Sequence, residues 1–245
     1  MANEVLVKQD GPILRITLNQ PDQGNAVTDD MVRELTRIIG DAGKTSDIVV
    51  LRGAGKDFCV GRAGMGARPA VEPTAYARRG FSDVVFDAYG AMRNCPIPII
   101  AVVQGGAHGF GCAIAAACDI TLASDKATFS VPEMAHQIMP TMVLSSFVDR
   151  VPKKAAAYLA YSMFEVSAER ALSYGIVSDV FPAAQLDAQV DKLTTAMLKA
   201  PRISLISAKE YISTAPDMPL AGAVQYARNL HATINSAAEI RKPRT

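Results

Sequence analysis

The chain contains no tryptophan and only four cysteines, and these cysteines show no CxxC spacing. It has no HExxH sequence and no cluster of histidines with carboxylates, so we expect no metal site. GxxxxGKS/T and GxSxG motifs are also absent, which argues against a nucleotide-binding P-loop and against the serine nucleophile of α/β-hydrolases. These absences remove metal, P-loop and serine-hydrolase chemistry from the expected functions.

No charge of one sign dominates, because 25 Lys and Arg residues face 24 Asp and Glu residues. This balance provides no overall attraction to nucleic acid. No run approaches the roughly 20 apolar residues of a membrane-spanning helix, so we expect no membrane partner. The first residues lack a basic stretch followed by an apolar one, and the cysteines look unpaired, so we expect a cytoplasmic location.

The most informative segment begins with a short, β-branched run, Ile97–Val103, which predicts a strand covered on both faces. A turn containing four glycines follows and opens into the helix formers of 113–117. The first amides of such a helix lack internal partners and lie at the positive end of its dipole. They can bind an oxyanion or a carbonyl oxygen, although a tight turn packed against a neighbour would show the same pattern.

A second segment repeats this arrangement. Residues 47–52 predict another buried strand, and five glycines between positions 53 and 66 keep the following loop free of side chains. One N–H from each loop could contact the same oxygen atom. Removing one donor from an oxyanion hole typically costs about 2.7–4 kcal/mol of transition-state stabilisation, so such a pair would be a substantial catalytic device.

Four segments, in order, resemble the crotonase (enoyl-CoA hydratase/isomerase) superfamily. They are LNQPDQGNAVTDDM (18–31), GKDFCVGRAGM (55–65), IPIIAVVQGGAHGFGCAIAAACDI (97–120) with ATFSVPEM (127–134), and AERALSYGIVSDVFP (168–182). The resemblance implies an α/β fold, a crotonase-like spiral of repeated β-β-α turns. Residues 1–185 would form the core with an acyl-CoA site. Residues 186–245 would form a C-terminal helical region that covers the site and builds a homotrimer or a dimer of trimers.

The family binds acyl-CoA thioesters and stabilises their enolates at two backbone amides. The resemblance therefore implies coenzyme A as part of the substrate and no separate cofactor. Aligned on this chain, the two amides are those of Arg62 and Phe110. The neighbouring substrate-binding positions are Gly61, Ala63, Gly109 and Gly111. The family usually has aspartate where this chain has Ala63, and MPTMVLSS replaces a usually glycine-rich segment, so no relative's substrate transfers directly.

The acid–base positions separate this chain from typical hydratases, which carry two glutamates. The first position falls on Ala113, which lines the implied site but whose methyl group can neither transfer a proton nor position a water. The second is Glu133, whose pKa should be raised by burial beside an acyl chain. A single carboxylate here resembles the enoyl-CoA isomerases of the family. We therefore favour an isomerase-type proton shuttle by Glu133 over a structural helix cap or ion pair.

Other interpretations stay open. A hydratase or dehydratase could use a water held by His136, which follows Glu133 by three residues and is counted among the substrate-binding positions. The same oxyanion hole could serve an acyl-CoA decarboxylase or hydrolase, or the chain could be a noncatalytic acyl-CoA-binding protein. His108 and His136 could equally shape loops. Lys209 resembles the family's C-terminal lysines near the CoA phosphates, with solvent exposure as the alternative.

The remaining pattern predicts ordinary architecture. Residues 5–18 predict a hairpin turning at Asp10-Gly11, and Thr28 is a plausible N-cap for the next helix. Residues 67–79 predict a lid or loop over the pocket, before a helix over about 81–92. Three further helices are expected over 183–200, 202–214 and 220–238. The thiols of Cys59 and Cys112 lie on the two loops and more plausibly pack there than act as nucleophiles.

Overall fold

The computed structural model describes residues 4–64 and 74–241. Its strands are β1 Val5–Asp10, β2 Ile13–Leu18, β3 Ile48–Gly53, β4 Ile99–Val103, β5 Gly106–His108, β6 Ile120–Ser124, β7 Thr128–Ser130, β8 Val166–Ser167 and β9 Asp179–Phe181. Its α-helices are α1 Asp29–Ala42, α2 Ala75–Asn94, α3 Phe110–Ala117, α4 Thr141–Phe147, α5 Lys153–Ser162, α6 Ala168–Ser173, α7 Leu186–Met197, α8 Arg202–Thr214, α9 Leu220–Ser236 and α10 Ala238–Arg241. Short 3-10 helices occur at Pro21–Gln23, Glu133–His136, Ala183–Gln185 and Ala215–Asp217.

A six-stranded sheet forms the centre, in the order β1-β2-β3-β4-β6-β9. β1 and β2 are antiparallel, with Val5 opposite Leu18, and the other neighbours are parallel. The expected hairpin is confirmed, and its turn uses Gly11 at a φ of +54°, a conformation that suits glycine. β3 and β4 lie inside the sheet and are covered on both faces, which explains their continuous apolar sequences.

The two faces of this sheet pack against different helices. On β3, Val49 and Leu51 join the larger core, which also contains buried residues of α1, α2 and α3. Val50 points the other way, as the period of two in a strand requires, into a smaller cluster completed by Leu186 and Val190 of α7. The helical region after residue 185 thus supplies part of the core, and the domain boundary placed there stays a prediction.

The start of α1 agrees with the sequence. The hydroxyl of Thr28 accepts a hydrogen bond from the amide of Met31 at 3.2 Å, which confirms the N-cap. Met31, Leu35 and Ile39 then recur at helical spacing and are 1–2% exposed. This packing fixes α1 beside the loop that follows β3, so it contributes to the position of the site.

A second sheet, β5-β7-β8, corrects one expectation. The sequence predicted that the glycine-rich turn after β4 opens directly into a helix, but β5 intervenes and pairs with β7. Gly105 lets the chain before β5 lie close to the loop after β3, since a Cβ there would lie 2.2 Å from the carbonyl oxygen of Lys56. β4-β5-α3 is one strand-strand-helix turn, and β6-β7 followed by α4 is another, so the predicted spiral of β-β-α turns is confirmed.

Helix boundaries differ modestly from the predictions. α2 begins at Ala75, earlier than the expected residue 81, and α7 is shorter than predicted because Ala183–Gln185 is a 3-10 helix. α8 has the predicted boundaries, and α9 ends at Ser236. Most of the predicted lid, residues 67–73, lies outside the described residues, and its remainder enters α2.

The described ranges hold neither a membrane-spanning helix nor a cluster of metal ligands. None of their helices combines the length and the apolar character that crossing a bilayer requires. Within residues 4–64 and 74–241, no three His, Cys, Asp or Glu side chains come together as a metal site.

Candidate active site

The loop after β3 presents one amide to the interior. Gly61 accepts a hydrogen bond from the amide of Val27, and Ala63 donates one back to the Val27 carbonyl, both at 2.9 Å. This parallel bridge turns the N–H of the intervening residue, Arg62, away from Val27. The Arg62 guanidinium contacts Asp29 at the start of α1, at 2.5 Å, and so anchors the loop. Arg62 is among the residues that line a cavity.

The second amide lies at the start of α3. Phe110 is the first residue of this helix, so its N–H has no intrahelical partner, and the N-cap, Gly109, supplies no capping side chain. Gly109 has a φ of +52°. Gly111 fixes the depth of the helix, because a Cβ there would lie 1.9 Å from the carbonyl oxygen of Cys59. Only glycine lets α3 approach the first loop this closely.

The two loops meet at Glu133. A Cβ built on Gly109 would lie 2.7 Å from Oε1 of Glu133 and 4.0 Å from the Cα of Gly61. The predicted catalytic carboxylate therefore lies directly against the turn that carries the Phe110 amide. Glu133 begins a 3-10 helix after β7, and the amide of Gly109 binds the carbonyl of Ser130 at 3.0 Å, which holds these two segments together.

Glu133 is buried without being satisfied. Its residue exposure is 8%, and its Oε2 has no hydrogen-bond partner among the described residues. Desolvation raises the pKa of its carboxyl above the ordinary value, and this outweighs the lowering by a backbone hydrogen bond and by His136. An unpaired buried carboxylate is costly to keep, which marks it as a functional candidate.

These groups surround a cavity of about 160 Å³. Apolar side chains supply most of its wall, and Glu133 is the one acidic residue among its described lining. The wall includes Met142 of the MPTMVLSS segment, whereas Met139 of the same segment is 67% exposed and not in the lining. The lining residues are Val60, Gly61, Arg62, Val85, Tyr89, Gly109, Phe110, Pro132, Glu133, His136, Ile138, Pro140, Met142 and Val143.

Besides Lys209, three residues predicted to bind substrate do not line this cavity. Ala63 is exposed on the far side of its bridge to Val27. Gly111 acts by letting α3 approach Cys59, and Ala113 is wholly buried within the larger core. Ala113 therefore leaves no polar group where the family's usual first glutamate stands, and its place is filled by packing.

Lys209 lies elsewhere. Its ammonium is 7% exposed, so the expectation of solvent exposure is wrong. It binds Asp119 at 2.7 Å and the Ile97 carbonyl at 3.0 Å, next to the amino-terminal end of β4, whereas the cavity lies beyond the carboxyl end. The structure does not bring Lys209 to the predicted site. Its charge is instead neutralised by Asp119 inside the fold.

The two histidines near the site are not equivalent. His136 lines the cavity and is exposed, and the 3-10 helix places it on the same face as Glu133 three residues earlier. His108 is outside the lining, with its Nδ1 bonded to the Ser130 hydroxyl at 2.8 Å and its Nε2 at 3.8 Å from Glu165. Burial lowers the pKa of His108. It shapes the loop between β5 and α3.

The loop thiols pack, as the sequence analysis favoured. Cys59 and Cys112 are fully buried. Burial raises the pKa of the Cys59 thiol to about 12, and it raises that of Cys112 as well. Neither thiol would form the thiolate that a nucleophile requires near neutral pH.

Sequence reasoning missed the side chains that hold the first loop. The amide of Gln104 donates to the carbonyls of Gly53 at 2.9 Å, Gly55 at 3.2 Å and Asp57 at 2.9 Å. Asn25, wholly buried at a φ of +56°, also donates to the Asp57 carbonyl, at 2.7 Å. The only sequence signal was a pair of polar residues beside glycines.

Tyr89 of α2 was missed too. It lines the cavity, is 2% exposed, and its ring stacks on Phe110 with the centroids 5.9 Å apart. In the sequence it follows the apolar spacing of Val85 and Met92, which indicates a core position rather than a site.

This chain is similar to known proteins over most of its length. A family model described as enoyl-CoA hydratase/isomerase matches residues 8–245. The short-chain-enoyl-CoA hydratase of Clostridium acetobutylicum is 30% identical over 187 residues, which cover 75% of this chain and 71% of that protein. The crystal structure of enoyl-CoA hydratase from Mycobacterium smegmatis has a TM-score of 0.90 at 25% identity, covering 96% of this chain and 92% of that one.

A further solved structure carries a ligand. It is a putative enoyl-CoA hydratase from Thermobifida fusca in complex with acetoacetyl-CoA, with a TM-score of 0.83 at 28% identity and a coverage of 94% of both chains. Together with the family match over nearly the whole length, these likenesses identify the architecture as the crotonase fold. The chain therefore belongs to the enoyl-CoA hydratase/isomerase family.

Proposed function

We propose that this protein moves a proton on the acyl chain of an enoyl-CoA thioester, with Glu133 as the single shuttle base. The observation that carries the proposal is the lining of the cavity, where Glu133 is the one described acidic residue and Ala113 is buried in the core. The acetoacetyl-CoA bound to the Thermobifida fusca relative supports an acyl-CoA thioester as the substrate class.

The geometry suits an isomerase. The amides of Arg62 and Phe110 would donate to the thioester oxygen, so negative charge could develop there when a proton leaves the α carbon. For a 3-enoyl-CoA, the ionised Glu133 would take a proton from C2, and the enolate would form on the thioester. Glu133 would then return that proton to C4, giving a 2-enoyl-CoA with no net gain or loss of atoms.

Hydration is the second candidate, favoured by the position of His136 on the same cavity and by relatives whose names say hydratase. Here a water held by His136 would add to C3 and the α carbon would receive a proton. Fold and family do not decide between these reactions, because the same oxyanion hole stabilises both enolates.

The test uses 2-enoyl- and 3-enoyl-CoA thioesters in heavy-oxygen water, with products followed by mass spectrometry. We expect migration of the double bond without label. Labelled 3-hydroxyacyl-CoA would instead establish hydration and overturn the isomerase assignment. Release of free CoA would indicate hydrolysis, and binding without any product would favour decarboxylation of a different, carboxylated acyl-CoA or a noncatalytic role.

We also propose the homotrimer, or dimer of trimers, that the family resemblance implies. Ile212 and Leu220 are among the large apolar side chains left exposed, at 70% and 81%, which supports contacts between chains. Light scattering coupled to size-exclusion chromatography measures the assembly, and a mass equal to one chain of 26.0 kDa would contradict it.

A further inference from the structure

Two residues that line the same cavity each carry a buried polar atom without a partner. Within the described residues, the hydroxyl of Tyr89 and Oε2 of Glu133 make no hydrogen bond, to each other or to any other group. Their residues are 2% and 8% exposed, and both line the 160 Å³ cavity. A buried polar group without a partner typically costs about 1–3 kcal/mol, so two in one cavity need an explanation.

The fold holds the Tyr89 ring firmly. Val85 and Met92, one turn away on the same helix, are each 1% exposed, and the ring of Phe110 lies nearly parallel to that of Tyr89, at 21°. The hydroxyl therefore cannot turn out to water without the ring leaving the core. Packing alone would be served as well by phenylalanine, which has no hydroxyl to satisfy.

The two groups define what could satisfy them. An ionised Glu133 accepts hydrogen bonds only, whereas the Tyr89 hydroxyl is a ready donor. Burial raises the pKa of Tyr89, and the charge of Glu133 raises it further, so the phenol stays protonated. An O–H group fits between them, because its oxygen can accept a hydrogen bond from the Tyr89 hydroxyl while its hydrogen is donated to Glu133.

We propose that Tyr89 is a positioning residue for the substrate, and that its hydroxyl and Oε2 of Glu133 together hold one O–H group beside the reacting carbons. The O–H is supplied either by a hydroxyl on the acyl chain or by a bound water. This inference rests on the proposed acyl-CoA site and adds a selectivity for oxygen-bearing acyl chains. Tyr89 would thereby provide a polar contact that Ala113 cannot.

The experiment compares the binding of butyryl-CoA and 3-hydroxybutyryl-CoA by isothermal titration calorimetry. All proteins carry Glu133→Gln, so that no ligand is consumed while the side chain keeps an oxygen acceptor. We expect this parent to bind the hydroxylated thioester about three- to tenfold more tightly, the range of one net hydrogen bond. Adding Tyr89→Phe should abolish that preference and leave butyryl-CoA binding unchanged.

The matched control is Tyr161→Phe, which removes the same atom from a side chain that is 74% exposed, and it should preserve the preference. Tyr89→Phe should also melt no lower than its parent, since it removes an unsatisfied group. A lower melting temperature or a preference that survives Tyr89→Phe would overturn the inference, and so would equal binding of the two thioesters by the parent together with no labelled product in the second arm. Binding of neither thioester would overturn the proposed function and this inference with it.

A second arm identifies the source of the O–H. The unsubstituted chain and Tyr89→Phe are incubated with crotonyl-CoA in heavy-oxygen water. Labelled 3-hydroxybutyryl-CoA from the former, reduced in rate about tenfold or more by Tyr89→Phe but not by Tyr161→Phe, supports a bound water. Absence of label together with the binding preference supports a hydroxyl that the substrate brings. Label formed at an undiminished rate by Tyr89→Phe would overturn the role of Tyr89.

Discussion

Two buried charged side chains lie near opposite ends of β4, and their surroundings differ. Near the carboxyl end, Glu133 is 8% exposed, and its Oε2 has no partner among the described residues. Near the amino end, Lys209 is 7% exposed, and its ammonium binds the Asp119 carboxylate and the carbonyls of Ile97 and Met92. The burial is nearly equal, but only one of the two charges is satisfied within the fold.

The difference separates a site from a structural contact. Asp119 also accepts from the amide of Ile99 at 2.8 Å, so the Lys209–Asp119 pair joins α8 to the start of β4, and its charges are neutralised within the fold. Glu133, by contrast, lines a cavity and has a carboxylate oxygen that no described group satisfies. Proteins retain such a costly group where function needs it, so we expect the two residues to respond to substitution in opposite ways.

The largest effect is expected for Glu133→Gln. If Glu133 is the base, turnover of the enoyl-CoA substrate should fall by about a thousandfold, within the usual range for general acid–base groups, because an amide cannot accept the proton. At neutral pH the free energy of unfolding should rise by about 1 kcal/mol, since a desolvated charge is removed. Steady-state kinetics and urea unfolding measure both quantities.

The control for that substitution is Glu239→Gln, a change at an exposed position in α10, which should alter neither quantity. Acyl-CoA binding should persist in Glu133→Gln, because the backbone amides are untouched. Turnover within tenfold of the unsubstituted chain would show that the open carboxylate is not the base.

Lys209→Met should do the reverse. Removing the ammonium leaves Asp119 partly buried and unpaired, which should lower the free energy of unfolding by about 3 kcal/mol, the lower end for a broken buried ion pair. Turnover per folded molecule should stay unchanged, because the pair is remote from the cavity. Lys192→Met, at an exposed position, is the matched control.

A second substitution sharpens that result. Adding Asp119→Asn to Lys209→Met removes the stranded charge and should restore part of the lost stability. If the doubly substituted chain is no more stable than Lys209→Met alone, the pair does not act as described. A fall in turnover in Lys209→Met at temperatures where the chain is folded would show that Lys209 contributes to the active site.

Gln104→Met should produce a smaller, mixed effect. It removes the amide that binds the carbonyls of Gly53, Gly55 and Asp57, so the loop that presents the Arg62 amide would loosen. We expect kcat to fall about five- to tenfold with a loss of about 1 kcal/mol in stability. Gln9→Met, which removes donors to Gly11 and Ser46 at the sheet edge, should leave kcat unchanged.

The contrast also explains what the sequence could reveal. Strands such as β3 and β4, the Thr28 cap and the position of Glu133 at the cavity were predictable, because each depends on local pattern or on a motif matched residue by residue. The short strand β5 was missed because its three residues, Gly106–His108, have no apolar period of their own and form only by pairing with β7. Tertiary pairing decided that segment.

Partners that lie far apart in the sequence were the other feature that could not be predicted. Lys209 was predicted to approach phosphates or solvent, and its true partner, Asp119, lies 90 residues earlier in the chain. Tyr89 has the spacing of an ordinary core residue, and only the structure shows that its hydroxyl is unpartnered beside Glu133. Whether a buried polar atom is satisfied depends on every neighbour in space, which a linear pattern does not contain.

The subtlest difference between the two ends of β4 should appear as a dependence on pH. Desolvation raises the pKa of Glu133 above the ordinary 4.5. At a pH between 4.5 and this raised pKa, Glu133 is therefore still protonated in most folded chains but ionised in most unfolded chains. Between 4.5 and the raised value, Glu133 therefore lowers the free energy of unfolding as pH increases. The protonated carboxyl resembles the neutral amide of Glu133→Gln. The stability advantage of that variant should be small at acidic pH, grow through this window and then stay constant.

Urea unfolding of both chains across this pH range measures that difference, and subtraction cancels the other titrating groups, which the two chains share. The same raised pKa should appear as an acid limb of kcat/KM above 4.5, because only the ionised base accepts a proton. An advantage that does not change with pH would show that Glu133 is hydrated and free of strain in the folded chain. It would then resemble Lys209 in being satisfied, and the distinction between the two ends of β4 would fail.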